Sequence, residues 1–180
     1  MNQIKGMPLE ELAAFVSSHL ASKGIAVVLT GGACVTMYTE NKYQSMDIDL
    51  VNMDGVAMRI IVKAMAEIGF YEKERMFAHP ETEFTVDVLA PPLSLGSSSV
   101  HEIAEKKVGQ YHVRLLSVSD SVCDRLAAWF FWDDEQALHQ ALMICENGGV
   151  DLDVVEKWAD SEGELQKFKG FIEILKSKGN

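Results

Sequence analysis

The sequence predicts an α+β or α/β protein whose C-terminal part is mostly helical, and three observations predict it. Helical and strand-like patterns alternate up to about residue 116, whereas only helical patterns follow from about residue 117. A chain of 180 residues with 48% apolar residues is long enough for one compact domain with a sizeable core. We therefore predict a core at residues 1–116 and a helical C-terminal subdomain packed on it at residues 117–180.

The first elements are a helix, a strand and a second helix. Pro8 suits the first turn of a helix over residues 8–21. The apolar run at residues 25–29 predicts a buried strand, which Gly31 and Gly32 break. A short helix is predicted at residues 33–39.

The middle of the chain predicts further strands around one helix. A polar loop at residues 41–45 leads into a strand at residues 45–51. The composition then predicts a helix at 56–68, short strands at 70–74 and 76–79, a clearer strand at 84–89, and a hairpin formed by 103–108 and 111–116. The glycine- and serine-rich run at residues 95–99 predicts a flexible loop.

The C-terminal part shows helical patterns only. They place helices at about 120–132, 135–146, 151–159 and 164–176. This part therefore predicts a helical layer or bundle.

The net charge limits the class of partner. With 16 basic and 27 acidic residues, the net charge is −11, which argues against a broad electrostatic footprint on DNA or RNA. The net charge does not exclude the binding of nucleotides, because a bound metal ion can supply positive charge locally.

Cysteine usage and hydropathy predict a cytoplasmic protein without a membrane partner. Cys34, Cys123 and Cys145 are far apart and odd in number, which is typical of free thiols in a reducing compartment. The N-terminus lacks the apolar core of a signal peptide. No apolar run approaches the ~20 residues that span a bilayer.

The strand at residues 45–51 carries the strongest chemical signal. Asp47 and Asp49 are two residues apart, so both side chains point to the same face, while Ile48 and Leu50 point into a core. Two neighbouring carboxylates repel each other unless a proton or a cation lies between them. Mg²⁺ is commonly held by one or two carboxylates together with substrate phosphates.

An alternative interpretation of this pair is an edge strand with a solvated acidic face. Acidic residues two apart occur seven times in this chain, so the spacing alone decides little. Only Asp47 and Asp49 sit inside an apolar strand shortly after two glycines. Burying an unpaired carboxylate is costly, which favours a functional reason for this pair.

A third carboxylate and two glycines extend the candidate site. Asp87 lies in the later strand at residues 84–89, where it could complete a metal-binding triad or take a proton from an attacking hydroxyl. Gly31 and Gly32 would let backbone N–H groups approach phosphates without a Cβ in the way.

In this order, Gly31-Gly32, Asp47-Ile48-Asp49-Leu50 and Val86-Asp87-Val88 resemble the signature of the DNA polymerase β-like nucleotidyltransferase superfamily. The resemblance covers about residues 10–116. Residues 119–128 resemble the C-terminal helices of small bacterial nucleotidyltransferase-like proteins, which include relatives of AbiEii-type toxins.

The resemblance implies an α+β fold with a mixed sheet flanked by helices. It implies an enzyme that uses Mg²⁺ to transfer a nucleoside monophosphate from an NTP to a hydroxyl. The carboxylates that match the catalytic metal ligands are Asp47, Asp49 and Asp87. The residues that match or neighbour the nucleotide-binding positions are Gly31, Gly32, Ser45 and Arg125.

Two departures from the superfamily pattern stand out. Arg125 replaces a lysine that is common in toxin relatives, and arginine cannot act as a base at neutral pH. The spacing between Gly32 and Asp47 is also slightly long, which suggests a specialised loop at residues 40–45.

The sequence leaves the acceptor and two rival functions open. The hydroxyl acceptor could belong to a small molecule such as an aminoglycoside, to an RNA end or to a protein. The first rival is a non-catalytic nucleotide- or partner-binding module of a toxin–antitoxin type system on the same fold. The second is a scaffold protein whose acidic residues are only solvated.

Overall fold

The structure is a computed structural model that describes residues 4–178. A seven-stranded sheet with helices packed around it forms the fold. The helices in this range are α1 (Leu9–Ser22), α2 (Gly31–Tyr38), α3 (Met58–Glu67), α4 (Val118–Trp132), α5 (Glu135–Asn147), α6 (Leu152–Ser161) and α7 (Leu165–Lys178). The longest, α4, has 15 residues. No helix in the described range is long and apolar enough to cross a lipid bilayer.

The sheet is mixed, as the resemblance implies. Its strands are β1 (Val27–Thr30), β2 (Asp47–Asn52), β3 (Tyr71–Lys73), β4 (Met76–Ala78), β5 (Thr85–Leu89), β8 (Ile103–Val108) and β9 (Tyr111–Leu116), while β6 (Ser94–Leu95) and β7 (Ser98–Ser99) form a separate hairpin. The strand order is β3-β4-β5-β2-β1-β9-β8. Strands β2 and β5 run parallel, as do β1 and β9, and the other neighbours are antiparallel.

The buried face of the sheet follows from the alternation of side chains along β2. Ile48 and Leu50 are fully buried, and each lies beside an apolar residue of β5, Val86 and Val88 respectively. Both strands thus turn their apolar residues to one side, and the intervening polar residues face the other side. The prediction that Ile48 and Leu50 point into a core is confirmed.

One continuous apolar cluster joins the sheet to the C-terminal helices. It includes Leu29 of β1, Val122 of α4, Trp158 of α6 and Phe171 of α7. The mostly helical C-terminal part is confirmed, because α4 to α7 are the elements that follow β9 up to residue 178. The division into a core and a subdomain at residues 116 and 117 stays a prediction.

Residues 95–99 are predicted to form a flexible loop, but in the structure they belong to a hairpin. Glu162, at the end of α6, holds this β6–β7 hairpin in place. The Ser97 backbone N–H and the Ser98 hydroxyl donate to Glu162 at 3.1 and 2.6 Å. A partner more than 60 residues away gives this run its structure, and local composition carries no sign of it.

Candidate active site

Asp47, Asp49 and Asp87 lie on the same face of the sheet, where β2 and β5 run side by side. Asp49 is directly opposite Asp87 in the register of the two strands, and Asp47 is opposite Thr85. Neighbouring strands are about 4.8 Å apart, and residues opposite each other in a parallel pair share a face. The fold therefore brings together the three carboxylates that the sequence analysis singled out.

Two hydroxyl groups hold Asp47 at the start of β2, one through its carboxylate and one through its backbone. The Thr85 hydroxyl donates to Asp47 Oδ1 at 2.5 Å. The Ser45 hydroxyl donates to the Asp47 carbonyl at 3.0 Å and accepts from the Asp47 N–H at 3.3 Å. The Ser45 hydroxyl thus fixes the backbone of a candidate metal ligand, and its contact with a phosphate stays a prediction.

Gly31 and Gly32 are the first two residues of α2, so they do not form a turn ahead of it. The backbone of Gly31 has φ +65°, and a Cβ added there would clash with Asp49 Oδ2. A Cβ on Gly32 would lie 2.9 Å from the Ser45 hydroxyl oxygen. The glycines leave room for the side chains of Asp49 and Ser45. Their approach to phosphates stays a prediction.

Gly31→Ala is therefore expected to destabilise the protein. A left-handed backbone costs a non-glycine residue about 1–3 kcal/mol, and the clash with the Asp49 carboxylate adds to that cost. Urea denaturation measures the loss. Gly170→Ala is the matched control, because Gly170 lies within α7 and has nothing within 4 Å of an added Cβ. Equal stability of the Gly31 and Gly170 variants would contradict this account of Gly31.

Asp49 is the electrostatic centre of the site. Burial and the nearby carboxylates of Asp47 and Asp87 raise the pKa of Asp49 to about 6, against the partly compensating charge of Arg125. A raised pKa means that the ionised form of Asp49 is poorly stabilised by the protein alone. Additional positive charge at this face would relieve the repulsion.

Arg125 lies on α4 in the C-terminal helical part, and α4 packs against α2, whose first residue borders Asp49. Arg125 Nε and Nη2 donate to Asp124 Oδ2 at 3.0 and 2.6 Å, and its Nη1 donates to Gln140 Oε1 at 3.3 Å. Its charge lowers the pKa of Asp49. Asp124 and Gln140 are not among the site residues predicted from the sequence, and only the adjacency of Asp124 to Arg125 hints at a role.

The three carboxylates supply the type of donor that a hard divalent cation prefers, but not a complete set of ligands. Within residues 4–178, no three His, Cys, Asp or Glu side chains form a group that could hold a metal ion by themselves. Carboxylate oxygens are nevertheless the donors that Mg²⁺ prefers, and Mg²⁺ in such sites takes other ligands from substrate phosphates and water. The unfavourable ionisation of Asp49 is the feature that a cation would offset.

A groove of about 530 Å³ opens beside Asp87 on the side away from β2. Its wall also includes Glu72, Glu74 and Arg75. Met58 and Leu89, which are 45% and 40% exposed, contribute apolar surface. The groove combines two carboxylates besides Asp87 with one guanidinium and exposed apolar groups.

Comparison with solved structures identifies proteins of the same fold. One is an antigenic nucleotidyltransferase-like protein from Paracoccidioides brasiliensis, with a TM-score of 0.63, 11% identity and 91% of this chain and 93% of that chain covered. Another is the solution structure of the antibiotic-resistance factor ANT(2'')-Ia, with a TM-score of 0.54 and 12% identity. A crystal structure of ANT(2'')-Ia in complex with adenylyl-2''-tobramycin has a TM-score of 0.50 and 11% identity.

Both ANT(2'')-Ia comparisons cover 96% of this chain and 98% of theirs, so the likeness extends into the C-terminal helices. At these identities the likeness shows the fold: this chain has a nucleotidyltransferase-like fold. No family model and no curated protein matches the sequence.

Proposed function

We propose that this protein is a nucleotidyltransferase that uses Mg²⁺ to transfer a nucleoside monophosphate from an NTP to a hydroxyl group. The observation that carries the proposal is the alignment of Asp47, Asp49 and Asp87 on one face of β2 and β5. The nucleotidyltransferase-like fold supports it. The raised pKa of Asp49 also supports the proposal, because it reflects neighbouring carboxylates whose negative charge a cation could neutralise.

In this proposal each of the three carboxylates and Arg125 has a separate role in the transfer. Asp47 and Asp49 would hold Mg²⁺, and the ion would neutralise charge on the phosphates. Asp87 completes the metal site and takes the proton of the acceptor hydroxyl. The hydroxyl oxygen then forms a bond to the α-phosphorus as the bond to the β-phosphate breaks, and pyrophosphate leaves. Arg125 contacts the phosphates as a permanent cation.

The groove beside Asp87 is the proposed place of the acceptor. It adjoins the proposed base and has room for a small molecule. Its carboxylates, together with a net charge of −11, favour an acceptor that carries amino groups as well as a hydroxyl, such as an aminoglycoside. An RNA end and a protein hydroxyl are the alternative acceptors. The labelled product would then be found in the RNA pool or the protein pool, and not in the small-molecule pool.

Magnesium-dependent binding of an NTP separates this proposal from a non-catalytic partner-binding module. We expect isothermal titration to show at least one NTP binding about tenfold or more tightly with Mg²⁺ than with EDTA, because the carboxylates repel phosphates unless a cation intervenes. A variant with Asp47 and Asp49 both replaced by Asn should lose the Mg²⁺ effect. Absence of any Mg²⁺-dependent binding would favour the partner-binding module.

A further inference from the structure

We propose that Asp124 and Gln140 are positioning residues that fix the guanidinium of Arg125 beside Asp49, so that its remaining N–H groups meet the phosphates of a bound NTP. The inference rests on the proposed function, since it assigns two further residues to the same site.

The guanidinium is held from two helices. Asp124 Oδ2 of α4 accepts from both Nε and Nη2, and Gln140 Oε1 of α5 accepts from Nη1. Gln140 is 4% exposed, so packing fixes its position. These contacts occupy three of the five N–H donors of Arg125, and the other two have no partner among residues 4–178.

The unoccupied donors belong to a cation that already acts on the carboxylate site. Helix α4, which carries Arg125, packs against α2, and Asp49 lies against Gly31 at the start of α2. The side chain of Arg125 is only 19% exposed, so its charge is weakly screened by water. We therefore expect these preorganised donors to bind an anion that a metal ion holds at Asp49.

This arrangement suits arginine better than the lysine that the resemblance leads one to expect at position 125. A planar guanidinium can bind an anchoring carboxylate along one edge and still present N–H groups on another. A lysine ammonium is a point charge on a flexible stem, and it could not keep the same orientation. The departure at Arg125 then has a physical reason, which lies in Asp124 and Gln140.

Asp124→Asn tests the proposal, because a charge role and a positioning role of Asp124 predict opposite changes in the affinity for NTP. If Asp124 acted only through its charge, its removal would make the site more positive and NTP binding tighter. If Asp124 positions Arg125, the variant should bind NTP more weakly and its kcat should fall about 10–100-fold, as for other residues that orient a catalytic group. Titration with NTP and Mg²⁺ and steady-state kinetics measure both quantities.

Further variants separate positioning from a merely structural role. Gln140→Leu should lower kcat in the same direction, and Asp124→Glu should restore part of it, because a carboxylate is again available. In an Arg125→Lys background, Asp124→Asn should have little further effect, since the two residues act through one contact. Asp160→Asn is the matched control, because Asp160 is exposed and its side chain makes no ion pair or hydrogen bond within the described range.

The outcomes distinguish this inference from the proposed function. A wild-type protein that transfers nucleotide, together with an Asp124→Asn variant of unchanged kcat and tighter NTP binding, would overturn the inference alone. A wild-type protein that neither binds NTP with Mg²⁺ nor transfers nucleotide would overturn the proposed function, and this inference with it. A folded Asp124→Asn variant with weaker NTP binding and lower kcat supports both.

Discussion

Replacing Asp47 and Asp49 together by Asn is expected to lower nucleotide transfer by about 10³-fold or more, while the protein stays folded. Both side chains are isosteric with Asn, and both face away from the apolar core that Ile48 and Leu50 fill. Loss of both carboxylates removes the charge that would hold Mg²⁺ at the reacting phosphate, where electrostatic stabilisation contributes a factor of about 10²–10³ per group. Transfer rates with labelled NTP measure the loss.

Circular dichroism and denaturation of the same variant serve as the folding control. Asp160→Asn controls for the removal of surface charge, because Asp160 lies in α6 and is exposed. Transfer activity that survives in the double variant would refute the assignment of Asp47 and Asp49.

Asp49→Asn alone is expected to raise the free energy of unfolding at pH 7.5 by about 1–3 kcal/mol. The pKa of Asp49 is about 6 in the folded protein, against 3.8 for an ordinary aspartate. A shift of about two units corresponds to about 3 kcal/mol of penalty on the ionised form. A neutral Asn avoids this penalty, so a gain in stability would accompany the loss of activity.

The raised pKa of Asp49 also predicts how the stability of the wild-type protein changes with pH. Between about pH 4 and pH 6 the folded state binds more protons at Asp49 than the unfolded state does, so stability falls as the pH rises through this window. The penalty is complete above about pH 6 and absent below about pH 4. Urea denaturation of wild type and Asp49→Asn at pH 7.5 and pH 4 should therefore show a gap that closes at the lower pH. A gap of equal size at both pH values would contradict the raised pKa.

The alternation of residues along one strand made the centre of the site predictable. Ile48 and Leu50 could be assigned to the core and Asp47 and Asp49 to the opposite face, because a strand has a strict period of two. The alignment of Asp49 with Asp87 could not be derived from that period. It depends on which strands become neighbours, so the residues alone made Asp87 a candidate third ligand without fixing its position opposite Asp49.

Contacts between distant segments account for what the sequence did not reveal. Asp124 and Gln140 meet around Arg125 because α4 and α5 pack side by side, and neither residue stands out in its own helix. Sequence patterns report the local period and composition, and they carry no direct information on such pairings.

Incubation of the protein with each α-³²P-labelled NTP, Mg²⁺ and a cell extract as acceptor pool tests the central claim most directly. We predict a labelled product that wild type forms and the Asp47→Asn, Asp49→Asn double variant does not. Fractionation of that product into small-molecule, RNA and protein pools identifies the acceptor class, and the groove beside Asp87 predicts the small-molecule pool. Absence of any labelled product, together with absence of Mg²⁺-dependent NTP binding, would contradict the claim that this protein is a nucleotidyltransferase.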